Sequence, residues 1–322
     1  MRPASLLRFC GLALLWGSNF LFIKVALEGL SPGQVVAGRM VLGAAVLVAV
    51  VAARRVRLPR SPVMWGHLVL MALLANLVPY FLFGWGEQRI SSSLAGVLNA
   101  TTPLFTLVVA ALLGTGERLA ATRVAGLGLG FAGVVVLVAP WRAGGSLGGE
   151  LPGQLACLGA AVCYAVSFVW TRRFLTGRGF PPFTLAAAQL GASVVLLALA
   201  APLLAQPVTL SPAVTASMLA LGVLGTSAAY LLYYRLIADE GPTTTSTVLY
   251  FLPIVAVVLG VVVLGEPLRW NLFVGAAVVL LGVALSEGRL GRAARRAGPH
   301  APVPAPDPAG ACAGEPEGPA VR

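Results

Sequence analysis

Lysine occurs once in this chain, at Lys24, and histidine twice, at His67 and His300. Two histidines so far apart in sequence give no basis for a histidine-based metal centre. The four cysteines, Cys10, Cys157, Cys163 and Cys312, form no CxxC pair. Cys157 and Cys163 share one apolar stretch, where thiols behave as small hydrophobes, so no disulfide framework is expected. A GxxxxGK[ST] phosphate loop is missing, and no soluble segment is large enough to hold one, which argues against an ATP-driven pump. Charge is scarce too: 10% of residues are charged, against about 25% in a soluble domain.

What is there instead is apolar surface. Hydrophobic residues make up 58% of the 322, with a mean hydropathy of +0.90, and a surplus of this size has to face lipid. The net charge of +11 lies in short basic clusters between apolar stretches rather than along one polar face, so no nucleic-acid partner is expected. Arginine replaces lysine almost everywhere, and Ala, Gly and Pro abound, a composition that suggests a GC-rich bacterial genome.

Breaks at Gly, Pro and charge clusters divide the chain into ten apolar segments, about 6–28, 34–52, 66–85, 92–113, 122–139, 153–171, 183–204, 214–236, 243–264 and 270–286. None shows the alternation of a barrel strand, so the expected fold class is an all-α membrane protein of ten transmembrane helices. The opening arginines and Leu12 to Leu15 resemble a signal peptide, but Trp16-Gly17-Ser18-Asn19 offers no cleavage site, and the segment is read as a first span. With the N-terminus in the cytoplasm, only Arg89, Arg142 and Arg269 of the loop arginines fall outside. That bias predicts both termini cytoplasmic. The tail 287–322, basic and then rich in Pro, Ala and Gly, is expected to be disordered.

The two halves superimpose at a near-constant offset. Trp16 falls on Tyr164, Phe20 on Phe168, Lys24 on Arg172, Arg39 on Gln189, Tyr80 on Tyr230, Pro103 on Pro253 and Glu117 on Glu266. The chain therefore divides into repeats 6–139 and 153–286. Five spans per half would invert the second repeat relative to the first, an arrangement that gives a carrier two related conformations around a midplane site.

Trp16-Gly17-Ser18-Asn19-Phe20 with Lys24, Arg39 in the second segment, Pro103-Leu104-Phe105, and the turns Gly116-Glu117-Arg118 and Gly265-Glu266-Pro267 carry a family resemblance. From about residue 8 to 286 the chain resembles the EamA-type branch of the drug/metabolite transporter superfamily. The resemblance implies a ten-helix carrier of the bacterial inner membrane, often an exporter of amino acids or other small metabolites.

Among single residues, Lys24, Glu28 and Arg39 lie nearest membrane depth, where ionisable groups suggest function. Lys24 and Glu28, at i,i+4 spacing, are read either as a snorkelling pair or as coupling candidates. No acidic residue falls near mid-span, so Glu28 is the nearest candidate for proton coupling. Cavity-lining candidates are Trp16, Asn19, Arg39, Asn76, Tyr80, Asn99, Tyr164, Gln189, Tyr230 and Tyr234, with an interfacial aromatic belt as the alternative for the tyrosines. Pro103 and Pro253 are hinge candidates. Glu117 and Glu266 are each assigned to the start of the helix that follows, favoured there by its dipole. Gly128-Leu129-Gly130-Phe131-Ala132-Gly133 matches GxGxxG but lacks a preceding strand, and Gly126 with Gly130 reads instead as a helix-contact surface.

The functional expectation is an alternating-access carrier for small metabolites such as amino acids, or amphipathic drugs. It needs no cofactor and no metal and performs no covalent chemistry. Its partners are the solute and the lipid bilayer, with a homodimer left open. The rivals are a channel or lipid scramblase, an intramembrane enzyme and a non-transporting scaffold. Catalysis would need clustered Asp, His or Cys inside the membrane, which the sequence does not supply.

Overall fold

The computed structural model describes residues 3–53, 55, 58–113, 120–140 and 149–286. Arg2, Arg54, Arg57, the turn 114–119 with Glu117, Arg142 and the tail from Glu287 lie outside the described residues, as do His300 and Cys312.

Among the described residues all regular structure is helical. Ten apolar helices follow one another: α1 (Pro3–Ala26), α2 (Pro32–Ala53), α3 (Pro62–Glu87), α4 (Ser92–Leu112), α5 (Ala121–Val138), α6 (Leu151–Leu175), α7 (Phe183–Leu199), α8 (Pro212–Gly241), α9 (Thr244–Leu264) and α10 (Trp270–Ser286). Eight are long and apolar enough to cross a membrane, while α7 and α10 are shorter. Leu112 and Leu199 are 79% and 78% exposed, a large outward apolar surface that only lipid accommodates. The chain is a multi-pass membrane protein.

Local sequence explains the helix starts. Ser31 and Gln34 form a reciprocal cap at α2: the Ser31 amide donates to Gln34 Oε1 at 2.8 Å and the Gln34 amide to Ser31 Oγ at 3.4 Å. Ser91 and Ser211 accept from the amides of Leu94 and Val214 at the heads of α4 and α8.

Several helices are interrupted where polar residues serve the freed backbone. Helix α4 breaks at Ala100 and Thr101, and the hydroxyls of Thr101 and Thr102 donate to the carbonyls of Leu98 and Asn99 at 2.6 and 2.7 Å. Helix α9 opens with a tight turn at Thr247–Tyr250 before Leu252–Leu264. Pro103 and Pro253 sit in the first turns of the resumed segments, where a missing N–H forfeits no helical bond. Wider π-helical turns occupy Ala72–Leu77 in α3 and Ala220–Ala228 in α8, in each case just before the repeat-related Tyr80 and Tyr230.

Helices α5 and α10 pack antiparallel along a glycine seam. A Cβ on Gly126 would lie 2.4 Å from the Ser286 amide nitrogen, and one on Gly282 would lie 2.4 Å from that of Gly130. Asn271 Nδ2 closes the far end by donating to the Leu137 carbonyl at 3.1 Å. The GxGxxG run therefore serves helix contact: Gly133, like Gly126 before it, lies against the α10 backbone and Gly130 against Leu104, while Gly128 faces open space.

Candidate functional site

The two halves meet around a cavity of about 270 Å³. Its walls include Trp16 and Asn19 where α1 is interrupted, Arg39 of α2, Tyr80 of α3, Asn99 at the α4 break, Tyr164 of α6 and Tyr230 of α8. Pro103 lines it too.

Arg39 is the charged group of this wall and is only 3% exposed. Its Nε donates to Thr226 Oγ1 at 3.0 Å, and its guanidinium lies 4.0 Å from the centre of the Tyr80 ring. With the Asn19 amide oriented by its hydrogen bonds, the oxygen accepts from Arg39 Nη2 and the nitrogen donates to the Leu15 carbonyl, both at 3.3 Å. The π-helical turn of α8 holds Thr226 in place, since its hydroxyl donates to the Leu221 carbonyl, five residues back, at 2.9 Å. Around the cation, Tyr80 meets Tyr164 edge-on with centroids 6.4 Å apart, and Tyr230 stacks on Tyr234 at 6.1 Å. Among the described lining residues there is no acidic side chain. Asn99 Oδ1 is buried there without a hydrogen-bond partner.

Asn76, Gln189 and Tyr234 are not among the lining residues. Asn76, fully buried, joins α3 to α7: Gln189 Nε2 donates to Asn76 Oδ1 at 3.1 Å, and Asn76 Nδ2 donates to Ser193 Oγ at 2.9 Å. Under the repeat offset this contact mirrors the other, since Gln189 stands where Arg39 does and Asn76 where Thr226 does. Pro253 is not among the lining residues either, although Leu252 beside it is.

Two charged assignments change. Lys24 makes no ion pair with Glu28 among the described residues; its ammonium donates to the backbone carbonyls of Glu87 and, at 2.9 Å, Ile90. Those carbonyls at the end of α3 lack helical partners, whereas Glu28 is exposed and has water. Glu266 does not serve the helix that follows it. Gly265, left-handed at φ 65°, turns the chain back, and the Glu266 carboxylate accepts from the amides of Ser92 and Ser93 at 2.6 and 3.0 Å. It caps α4, in the other half, so the dipole argument holds for a different helix.

One buried acid escaped the sequence reading. The apolar segment 66–85 stops short of Glu87, yet Glu87 completes α3 with 0% exposure. The signal available was the run Phe83-Gly84-Trp85-Gly86, apolar enough to carry the helix a turn further.

A helical bundle that spans the membrane and encloses an aromatic, mostly apolar cavity with a few polar groups between two similar halves has the plan of a membrane transporter. The chain belongs to the EamA-like transporter family, whose sequence profile matches residues 4–139 and again 151–287. It is similar to the Escherichia coli (strain K12) uncharacterized inner membrane transporter YedA, with 28% identity over 279 residues covering 85% of this chain and 87% of the relative. It is likewise 28% identical over 282 residues to a probable terminal-alkyne amino-acid exporter of Streptantibioticus cattleyicolor, covering 86% of this chain and 91% of that one. A solved crystal structure overlays on it with a TM-score of 0.63 at 26% identity, covering 91% of this chain and 99% of the other.

Proposed function

We propose that the protein is an alternating-access exporter of small amphipathic solutes bearing a carboxylate, amino acids foremost, across the bacterial inner membrane. The observation that carries this reading is Arg39, a nearly buried guanidinium held against Tyr80 in a cavity with no described acidic lining residue. An uncompensated cation in a low-dielectric wall favours an anionic group, and guanidinium matches a carboxylate in two-pronged geometry. The orphan Asn99 Oδ1 and the faces of the tyrosines suit the ammonium of a zwitterion. At about 270 Å³ the cavity lies just under the range of roughly 300–1,000 Å³ typical of drug-sized ligands, which favours small metabolites. The named function of the Streptantibioticus relative agrees with this class.

In this reading all ten helices span the membrane, α7 and α10 included, as repeats 6–139 and 153–286 of opposite orientation. The antiparallel pairing of the equivalent helices α5 and α10 supports the inversion. The arginine distribution supports cytoplasmic termini. Pro103 and Pro253, at the breaks of α4 and α9, are the proposed hinges.

The test is counterflow in proteoliposomes preloaded with unlabelled amino acids. Saturable, trans-stimulated uptake of a labelled amino acid that disappears in Arg39→Leu is the expected result. Linear flux without exchange would sink the carrier in favour of a channel or scramblase.

A further inference from the structure

Among the described residues, Arg39 and Glu87 are the buried charged side chains, and only Arg39 belongs to the cavity. Glu87 is 0% exposed, and neither carboxylate oxygen has a hydrogen-bond partner. A lone ionised carboxylate out of water is costly, so such a group either carries a proton or draws in a cation. The structure sets a cation beside it without joining the two. Lys24 of α1 reaches this corner, but two of the three donors of its ammonium go to the backbone carbonyls of Glu87 and Ile90 and none to the carboxylate.

Among the described residues, the other elements packed here bring no second cation to the carboxylate. Glu266, from the turn between α9 and α10, acts on Glu87 as a like charge while capping α4 at Ser92 and Ser93. Cys157 of α6 faces it as a free, fully buried thiol, packed so closely that a Cβ on Gly86 would lie 2.7 Å from its sulfur. Ser92 Oγ is buried there and likewise unpartnered. Arg89, one half-turn on, points away, its guanidinium 3.6 Å over the Trp85 ring. Helices from both halves therefore converge on one carboxyl group that has an alternative partner within the same corner.

We propose that Glu87 is a proton-binding site, separate from the solute cavity, whose occupancy switches the grip of Lys24 on the α3–α4 turn. With a proton on the carboxyl, Lys24 holds the two carbonyls and ties α1 to that turn, which is the arrangement seen. When the proton leaves to water, Lys24 swings to the carboxylate and releases the carbonyl at Ile90, and this end of the bundle loosens. One proton moves on or off an oxygen, and no electron is transferred. The use of the switch in transport rests on the carrier reading above; the protonation does not.

Infrared difference spectroscopy of the reconstituted full chain during a pH titration tests the site directly. The expected result is a protonated-carboxyl band that titrates in wild type and in the exposed-residue control Glu28→Gln, vanishes in Glu87→Gln and returns, displaced, in Glu87→Asp. A band unchanged by Glu87→Gln, or the lack of any titrating band in wild type and Glu87→Asp, overturns the proposal. The switch is read by maleimide labelling of Cys157 with the other three cysteines replaced by serine, normalised to the unfolded protein at each pH. Wild type should gain labelling several-fold at alkaline pH, Glu87→Gln should stay protected, and Lys24→Met should label throughout. Equal labelling of wild type and Glu87→Gln across the range overturns the switch. Wild-type counterflow that fails while the band titrates would remove the carrier reading and leave the proton site standing.

Discussion

The same contact is built twice in this protein with different chemistry. In one copy Arg39 of α2 reaches across to Thr226 of α8, and in the other Gln189 of α7 reaches across to Asn76 of α3. Both join the second helix of one half to the third helix of the other. The first carries a charge, leans on an aromatic ring and faces the cavity, whereas the second is neutral and is completed by Ser193. The repeat carries two equivalent clamps: one is neutral and lies between helices, and the other puts a charge on the cavity wall.

That contrast can be broken by exchanging what distinguishes the clamps. Arg39→Leu should abolish saturable uptake in counterflow while leaving the protein folded by thermal unfolding in detergent, because Thr226 keeps its bond to Leu221. Arg39→Lys should restore only part of it, since the planar fork and its stacking on Tyr80 are lost. Asn76→Leu should do the opposite. It orphans the Gln189 amide inside the bundle, Ser193 keeping its bond to the Gln189 carbonyl, a loss on the order of 1–3 kcal/mol seen as a lower melting temperature, with solute affinity in the surviving protein little changed. Tyr80→Leu should weaken solute affinity several-fold in titrations by releasing the guanidinium from its ring. Gln189→Ala, which leaves the buried Asn76 Oδ1 without its donor, should have the smallest effect on transport, with a cost of about 1–3 kcal/mol of stability in the same unfolding measurement and no change in the pH or solute dependence. Equal transport loss from Arg39→Leu and Asn76→Leu would erase the distinction.

Much of this was legible before any coordinates. Segment positions followed from hydropathy, because in lipid a helix has to be apolar nearly all round; α4 was expected at 92–113 and spans Ser92–Leu112. The cavity residues Arg39, Tyr80 and Tyr230 could be singled out because polar groups at matching places in two apolar repeats need a shared reason. What escaped was whatever depends on a turn or on a partner helix. The π-helical stretches 72–77 and 220–228 are ordinary apolar sequence. Glu266 was assigned by the right force to the wrong helix, since the reversal at Gly265 is a backbone event. Glu87 was lost to a boundary drawn two residues early, and burial at a helix end depends on what packs over it. Asn76 and Gln189 share the residue type of a cavity wall, and only the neighbouring α7 reveals that they satisfy each other.

The seam between α5 and α10 has a consequence for how the molecule is made. During synthesis α5 enters the membrane with its glycine face bare, and the helix that covers it comes last among the described ones, so the second half has to follow before the first can finish packing. Assembly is thus sealed from the second half, and a chain that stalls before residue 270 would present an open groove to any passing helix.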